Sequence, residues 1–224
     1  MNAVDFHSDI AKAFGDRYQQ SPDFQERFSV WSSLLETYIQ PGASVLDAGC
    51  GTGVFSHYLT NRGCTVLGID GSAEMIRLCQ QQANPGATFR VSLLPINDEL
   101  THERFDAILS SSVLEYVPDL AKTLASFDRH LRPGGRLIVS LPNRHSVYRV
   151  LERVGFFLTG KPPYLQHVLH YGTAKSIAKL LETDHYQLIA NQTFGGTNAI
   201  ARLLRSCLPT SYADTLFVAV FQKK

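Results

Sequence analysis

The sequence has no excess of charge of either sign and no long apolar run. Lys and Arg total 21 and Asp and Glu total 20, which gives a formal net charge of +1. These charges are interspersed, so no basic block indicates a nucleic-acid surface. No apolar run approaches the roughly 20 residues of a membrane span, and the first residues, with Asp5 and Asp9, do not resemble a signal peptide. We therefore expect a cytoplasmic protein with no nucleic-acid partner and no membrane span.

Cysteine is also scarce. The four cysteines, Cys50, Cys64, Cys79 and Cys207, form no C-x-x-C pair and show no Cys/His spacing typical of zinc. We expect them to be free and mostly buried thiols. The length of 224 residues and a hydrophobic content of 44% suit a single α/β domain with a substantial core.

Strand and helix patterns alternate along the chain. The apolar runs that predict strands begin at Val45 and lie at 65–69, 88–93, 105–109, 136–141, 186–193 and 215–221. The predicted helices lie at 24–38, 54–61, 72–82, 119–131, 147–158 and 173–184, with Ser72 and Asp119 at two of their starts. Such alternation favours right-handed βαβ units and a parallel sheet with helices on both faces.

We predict one domain over residues 1–224, divided into four parts. Residues 1–40 form an N-terminal helical lid, 41–145 a cofactor-binding core, 146–172 an insertion or substrate cap, and 173–224 the C-terminal part of the sheet. The lid carries an apolar helix face that we expect to be mainly core and in part a roof over a site. The members of that face are Phe24, Phe28, Trp31, Leu35 and Tyr38.

The helix predicted at 147–158 has an apolar stripe opposite Arg149, Glu152 and Arg153. Packing of the stripe on the sheet is the favoured interpretation, since most apolar helix faces are core. A substrate cap ranks second. Membrane contact ranks last, because the helix is short and its charges are mixed.

Three glycines at alternate positions follow the strand that begins at Val45, in the segment VLDAGCGTG. A residue without Cβ allows positive φ and lets a ligand lie against the backbone. Asp70, 21 positions after Gly49, ends the next predicted strand, where a carboxylate suits two adjacent ribose hydroxyls. The turn and this acid together predict an adenosine-like ligand.

The glycine spacing distinguishes between classes of nucleotide. A dinucleotide fingerprint requires G-x-G-x-x-G, whereas this chain has G-x-G-x-G with Val54 at the following position. Asp47, just before the turn, repels a pyrophosphate and attracts an ammonium group. The pattern therefore favours S-adenosylmethionine. An NAD-dependent oxidoreductase and a non-catalytic S-adenosylmethionine-binding protein remain as alternatives.

Four ordered segments, VLDAGCGTG, GIDGS, FDAILSSSVLEYVPD and LRPGGRLIVSLPN, resemble those of the class I S-adenosylmethionine-dependent methyltransferases and cover roughly residues 40–145. The resemblance implies a Rossmann-like α/β fold whose seven-stranded sheet is mostly parallel, with an antiparallel closing strand. It also implies that Asp70 holds the ribose, Met75 packs on the adenine, and Asp47 lines the methionine portion. The full set of implied cofactor-binding residues is Asp47, Gly49, Cys50, Gly51, Gly53, Asp70, Gly71, Met75, Ser92, Leu93, Ser110 and Ser111.

The third segment is especially similar to the ubiquinone-biosynthesis O-methyltransferases, which place two acids and a histidine there for a divalent metal. Here Glu115 matches, but Tyr116 stands at the histidine position and Ser112 at the other acid position. One ligand cannot make a hard-cation site, so we expect no metal.

The resemblance implies methyl transfer to a small-molecule acceptor, with oxygen favoured as the acceptor atom. A general base assists when the acceptor is a hydroxyl or an ammonium group. The candidates are Glu115, Tyr116, Asn143, His145, His167 and His170, whereas His57 is expected to be solvated. We expect a monomer or a homodimer.

Overall fold

The computed structural model describes residues 4, 21–82, 85–96, 102–181 and 185–224. Within these residues, seven strands form one sheet in the order β3-β2-β1-β4-β5-β7-β6. The strands are β1 (Ser44–Ala48), β2 (Thr65–Asp70), β3 (Ala87–Val91), β4 (Phe105–Ser110), β5 (Leu131–Pro142), β6 (Tyr186–Phe194) and β7 (Leu216–Lys223). Strands β1 to β5 pair in parallel, and β7 is antiparallel to both β5 and β6. The predicted fold class is confirmed, including the antiparallel closing strand.

The helices connect the strands and cover both faces of the sheet. The α-helices of the described residues are α1 (Pro22–Tyr38), α2 (Val54–Asn61), α3 (Ala73–Gln81), α4 (Leu120–His130), α5 (Val147–Thr159), α6 (Ala174–Leu180), α7 (Ala199–Cys207) and α8 (Thr210–Ala213). A 3-10 helix spans Pro163–His167. The sequence did not predict α7 and α8. Residues 182–184 of the helix predicted at 173–184 lie outside the described residues.

Adjacent residues of β1 face opposite layers of the core. Val45 belongs to a buried cluster with Trp31 of α1 and Phe55 of α2. Leu46 belongs to a second cluster, on the other face, with Phe127 of α4. The core therefore lies on both sides of the sheet, as its apolar strands require.

Side-chain caps begin several helices where the sequence predicted. The Ser72 hydroxyl accepts a hydrogen bond from the backbone N–H of Met75 at 3.2 Å, and α3 follows. The Asp119 carboxylate accepts one from Lys122 at 2.9 Å, and α4 follows. Each cap satisfies an N–H group that has no partner within its helix.

Strand β5 begins five residues earlier than predicted. The sequence places a turn at Pro133-Gly134-Gly135 and a strand from Arg136, but β5 already starts at Leu131. Its ladder with β4 shifts register between Phe105 and Ala107, and Gly134 has φ +77°. The chain therefore forms a bulge at Gly134 and Gly135, and β5 pairs with β4 on both sides of it.

The described part of the predicted N-terminal lid is α1, whose apolar face is largely core. Phe24, Trp31 and Leu35 are buried, and Phe28 stacks on Phe55 with ring centroids 6.0 Å apart. The start of the helix also lines the cavity described below, as a partial roof requires. Residues 1–3 and 5–20 of the predicted lid lie outside the described residues.

Helix α5 does not pack its apolar stripe on the sheet, so the favoured interpretation was wrong. None of its residues is buried, and its stripe is exposed at Val150, Leu151 and Val154. The opposite face, with Arg149 and Glu152, turns inward to the cavity. No helix within the described residues is long and apolar enough to cross a membrane.

Candidate active site

A cavity of about 840 Å³ lies at the carboxyl ends of the central parallel strands. Its floor includes Gly49 after β1, Asp70 at the end of β2, and Ser111 after β4. Arg27 of α1 and Arg149 of α5 line it from the sides. Ligands of open α/β sheets bind in this crevice, because loops and helix N-termini converge there.

The glycine turn tolerates no side chain at Gly49. This residue has φ +81°, and a Cβ built on it would lie 2.2 Å from Cγ2 of Val113. The backbone N–H groups of Gly49 and Cys50 donate to the carbonyl of Ile69 at 2.7 and 2.9 Å. The turn is thereby fixed against β2. At Gly51, with φ +54°, a Cβ would meet nothing within 4 Å, so its open side is available to a ligand.

Asp70 is held in place by backbone donors on both carboxylate oxygens. Oδ2 accepts a hydrogen bond from the N–H of Gly51 at 2.9 Å, and Oδ1 accepts one from Ser72 at 2.8 Å. Burial raises the pKa of Asp70, and the two backbone donors oppose this rise. Each oxygen keeps lone-pair capacity for a ligand hydroxyl.

Asp47 is a buried carboxylate at the other side of the turn. It is 2% exposed, and its Oδ2 accepts a hydrogen bond from the Ser56 hydroxyl at 2.6 Å. Burial raises the pKa of Asp47 to about 7, with a further rise from the charge of Asp70, while Ser56 and Arg27 oppose it. A cationic ligand group nearby would favour its charged form.

Arg27 brings a positive charge to the same part of the cavity. Its guanidinium Nη2 donates to the carbonyl oxygen of Ser111 at 2.8 Å and to the Ser111 hydroxyl at 2.7 Å. Burial raises the pKa values of Asp47 and Glu115, and the charge of Arg27 opposes both rises. The sequence analysis missed Arg27, because its position on α1 gives no sign that the helix crosses the end of β4.

Glu115 is the second buried carboxylate of the cavity. It is 3% exposed, and its Oε2 has no hydrogen-bond partner among the described residues. Burial raises its pKa to about 7, against the opposing charges of Arg27 and Arg149. Tyr116 also lines the cavity, and burial beside Glu115 raises its phenol pKa further above the ordinary value.

Helix α5 contributes a hydrogen-bonded cluster to the cavity wall. Nη1 of Arg149 donates to Oε2 of Glu152 at 2.6 Å and to the Tyr164 hydroxyl oxygen at 2.7 Å. The Tyr164 hydroxyl in turn donates to Oε1 of Glu152 at 2.5 Å. Burial lowers the pKa of Arg149, but the Tyr164 hydroxyl and the Glu152 carboxylate outweigh this effect and raise it overall. The guanidinium therefore stays charged inside the wall.

A family model described as a methyltransferase domain matches residues 23–191, which is more than half of the chain. The chain belongs to the class I S-adenosylmethionine-dependent methyltransferase family. Its similarity to the trans-aconitate 2-methyltransferase of Deinococcus radiodurans is 37% identity over 134 residues, covering 58% of this chain and 49% of that one. Its similarity to the malonyl-[acyl-carrier protein] O-methyltransferase of Pseudescherichia vulneris is 33% over 154 residues, covering 64% and 59%.

The chain spans about half the length of the first of these curated relatives. Among solved structures, this chain resembles the N-methyltransferase NodS from Bradyrhizobium japonicum WM9 in complex with S-adenosyl-l-homocysteine. The TM-score is 0.72 at 19% identity, covering 100% of this chain and 99% of that chain. At that identity, the likeness shows a shared fold.

Most of the predicted cofactor-binding residues lie together around the cavity. Ten of them line it: Asp47, Gly49, Cys50, Gly51, Asp70, Gly71, Met75, Ser92, Leu93 and Ser111. Gly53 and Ser110 do not. Gly53 precedes α2 with φ +78°, and the Ser110 hydroxyl is buried and donates to the Ala48 carbonyl at 2.9 Å. Contact of these two residues with the cofactor stays a prediction.

The three candidate histidines do not line the cavity. His145 stacks on Tyr212 with ring centroids 5.9 Å apart. His170 Nε2 lies 2.7 Å from the carbonyl oxygen of Val117, and His167 Nε2 lies 3.1 Å from the Gln166 amide. Of the predicted general-base candidates, only Glu115 and Tyr116 reach the site.

Asn143, another of the general-base candidates, does not line the cavity. The Asn143 amide donates to the carbonyls of Ser211 at 2.8 Å and Asp214 at 3.0 Å, which fastens the end of β5 to α8.

The prediction that His57 is solvated was wrong. Both of its ring nitrogens are buried without a hydrogen-bond partner among the described residues, and its ring lies 5.6 Å from that of Phe89. Burial lowers its pKa.

The start of α1 is tied to the segment after β6, and the sequence analysis missed this contact. Oδ1 of Asp23 accepts hydrogen bonds from the backbone N–H and the hydroxyl of Thr197 at 3.0 and 2.6 Å. Glu26 pairs with Arg205 of α7 at 2.6 Å. These contacts hold the start of α1, which lines the cavity, in place.

Proposed function

We propose that the protein binds S-adenosylmethionine and transfers its methyl group to the oxygen of a small-molecule acceptor. The observation that carries this proposal is the charge pattern of one cavity. Asp70 presents a carboxylate on one side of the glycine turn, while Asp47 and Arg27 bring opposite charges to the other. A nucleoside with a zwitterionic, phosphate-free tail matches this arrangement.

The residues present fit that ligand group by group. Asp70 is already aligned by Gly51 and Ser72, so its remaining lone pairs suit the two ribose hydroxyls. Met75 and Leu93 offer apolar surface for the adenine. Asp47 suits the ammonium group and Arg27 the carboxylate of the methionine portion.

The cavity leaves room for an acceptor beside the cofactor. Its volume of about 840 Å³ lies in the upper part of the roughly 300–1,000 Å³ range of ligand pockets. The acceptor side is walled by Arg149, Glu152 and Tyr164. A small-molecule acceptor is also what the printed names of similar proteins suggest, such as the ubiquinone biosynthesis O-methyltransferase of Xylella fastidiosa. Oxygen is favoured because two of these relatives carry the description O-methyltransferase.

Catalysis requires mainly that the acceptor be oriented toward the methyl group. When bound, S-adenosylmethionine supplies a methyl group already activated by its sulfonium charge. The chain holds the acceptor in line with the bond that breaks and excludes water, which can lower the barrier by roughly 7–11 kcal/mol.

Glu115 is the residue that we assign to proton removal from the acceptor. Its Oε2 has no partner among the described residues, and its pKa of about 7 leaves the base form populated near neutral pH. A positioned base of this kind contributes roughly 10²–10⁴-fold to the rate. Tyr116 keeps its proton, because its pKa is raised, and can orient the acceptor as a hydrogen-bond donor.

The proposal is tested by binding and by product formation. We expect isothermal titration calorimetry to detect S-adenosylhomocysteine binding and no NAD binding. Mass spectrometry of incubations with phenols, carboxylic acids and amines should then find an acceptor that gains one methylene unit. NAD binding would favour an oxidoreductase, and cofactor binding without any product would favour a non-catalytic protein.

A further inference from the structure

Two neighbouring helices, of which α5 lines the cavity, expose apolar side chains on the molecular surface. On α5, Phe157 is 89% exposed and Leu158 is 75% exposed. On α7, Leu203 is 64% exposed and Ile200 is 58% exposed. The two helices lie beside each other, and Asn198 before α7 donates a hydrogen bond to the Tyr148 hydroxyl at 2.8 Å. We call this surface the α5/α7 face.

The exposed residues form regular stripes. On α5 they recur at three- and four-residue intervals, through Val150, Leu151, Val154, Phe157 and Leu158. Such spacing aligns them on one side of a helix. Isolated apolar residues on a surface need no explanation, but a contiguous patch marks an interaction site.

Basic residues flank this face. Residues 144–161 and 198–208 hold six of the 21 cationic residues, of which Arg149 lines the cavity and Arg205 pairs with Glu26 and Asp214, and one of the 20 acidic residues, Glu152. That acid is already paired with Arg149. Arg144, Arg153, Lys161 and Arg202 are exposed and form no salt bridge with any described residue. The rest of the chain therefore carries a net negative charge.

We propose that the α5/α7 face docks on an anionic lipid surface. Exposed Phe and Leu enter the boundary of the acyl chains, while the flanking Arg and Lys side chains reach the anionic headgroups. A second copy of the chain is a poorer occupant. In a symmetric dimer this face would meet itself and bring the same cations together.

Docking of this kind brings the cavity wall close to the bilayer. Tyr148, Arg149 and Glu152 line the cavity from the same helix that carries Phe157 and Leu158. The inference is independent of methyl transfer, because it uses only the outer side of α5 and α7.

Vesicle co-sedimentation tests the proposal. We expect the protein to pellet with vesicles of phosphatidylcholine plus phosphatidylglycerol, more weakly with phosphatidylcholine alone, and less at high salt. The double variant Phe157→Asp, Leu158→Asp should lower the bound fraction at least about tenfold. Arg153→Gln and Lys161→Gln should each weaken binding about five-fold. The matched control is Leu188→Asp, a 39% exposed leucine on edge strand β6, which should bind as the wild type does.

Three outcomes would overturn the inference. The first is no pelleting with either vesicle, and the second is equal loss of binding in the Leu188→Asp control. The third is a concentration-dependent dimer in analytical ultracentrifugation that Phe157→Asp abolishes, since the face would then bind a second copy. Calorimetry with S-adenosylhomocysteine in the absence of vesicles checks that each variant is folded. It also separates failure of docking from failure of the proposed cofactor site.

Discussion

Oδ2 of Asp70 accepts a hydrogen bond from the backbone N–H of Gly51 at 2.9 Å. The carboxylate that ends β2 and the turn that follows β1 are therefore linked directly. The second oxygen of Asp70 is held by Ser72 at 2.8 Å. The acid is thus oriented before any ligand arrives, so little of its binding energy is lost to ordering the side chain.

Replacement of Asp70 by alanine should weaken S-adenosylhomocysteine binding. Loss of hydrogen bonds between a charged group and the ribose costs about 1.5–3 kcal/mol. Calorimetric titration measures the change, with Glu74→Gln as the control. Glu74 lies near Asp70 in the sequence, but it pairs with Arg77 and does not line the cavity. An unchanged affinity in Asp70→Ala would mean that this carboxylate does not hold the ribose.

Alanine at Gly49 and at Gly51 should have different effects, although both glycines have positive φ. In both variants the new alanine occupies the left-handed backbone region, which costs about 1–2 kcal/mol. At Gly49 the new Cβ would also collide with Val113 at 2.2 Å, which adds about 1–3 kcal/mol. At Gly51 it would meet nothing within 4 Å of the protein.

Chemical denaturation and calorimetry separate these two effects. Gly49→Ala should lose more of the free energy of unfolding. Gly51→Ala should stay better folded and yet bind S-adenosylhomocysteine poorly, because its methyl group points to the open side of the turn. Equal stability losses would contradict the close approach of Val113 to Gly49.

The rate of methyl transfer should increase with pH around neutrality. Burial raises the pKa of Glu115 to about 7, and a base acts only in its deprotonated form. Activity is therefore low below that pKa and reaches a plateau above it. We expect kcat to fall roughly 10²–10⁴-fold in Glu115→Gln, with loss of the inflection near neutral pH.

Cofactor affinity provides the control for this variant. Glu115→Gln keeps the size of the side chain, and S-adenosylhomocysteine should bind it as tightly as the wild type. Glu103→Gln, at an exposed ion pair with Arg90, should leave the pH profile unchanged. An inflection that persists in Glu115→Gln would assign the titration to another group.

Features set by neighbouring residues were predictable from the sequence. The glycine turn, the acid at the end of β2 and the caps at Ser72 and Asp119 each depend on a few consecutive positions. The packing of α5 did not follow from its pattern. An apolar stripe predicts that one face of a helix packs against an apolar surface, but the pattern does not identify that surface.

The polar part of the site was harder to predict because it is assembled from distant segments. Arg27 and Ser111 are 84 residues apart in sequence and form hydrogen bonds of 2.7 and 2.8 Å. The histidines had suitable chemistry, yet His170 lies against the Val117 carbonyl outside the cavity. Residue type alone gives no information on such placements.

Removal of one charged partner from the cluster of Arg149, Glu152 and Tyr164 should lower the free energy of unfolding substantially. Arg149→Met leaves Glu152 in the cavity wall without its cation, and removal of one partner from a buried pair costs about 3–5 kcal/mol. Tyr164→Phe removes two hydrogen bonds to charged groups and should cost about 1.5–3 kcal/mol.

A double-mutant cycle measures how strongly Arg149 and Glu152 stabilise each other. In Arg149→Met, Glu152→Leu no charge is left unpaired, so the double variant should recover much of the stability that Arg149→Met loses. Urea denaturation of the wild type, both single variants and the double variant gives the coupling energy. The stability losses of the two single variants could instead simply add in the double variant. In that case the two side chains do not stabilise each other, and backbone contacts hold the wall of the cavity.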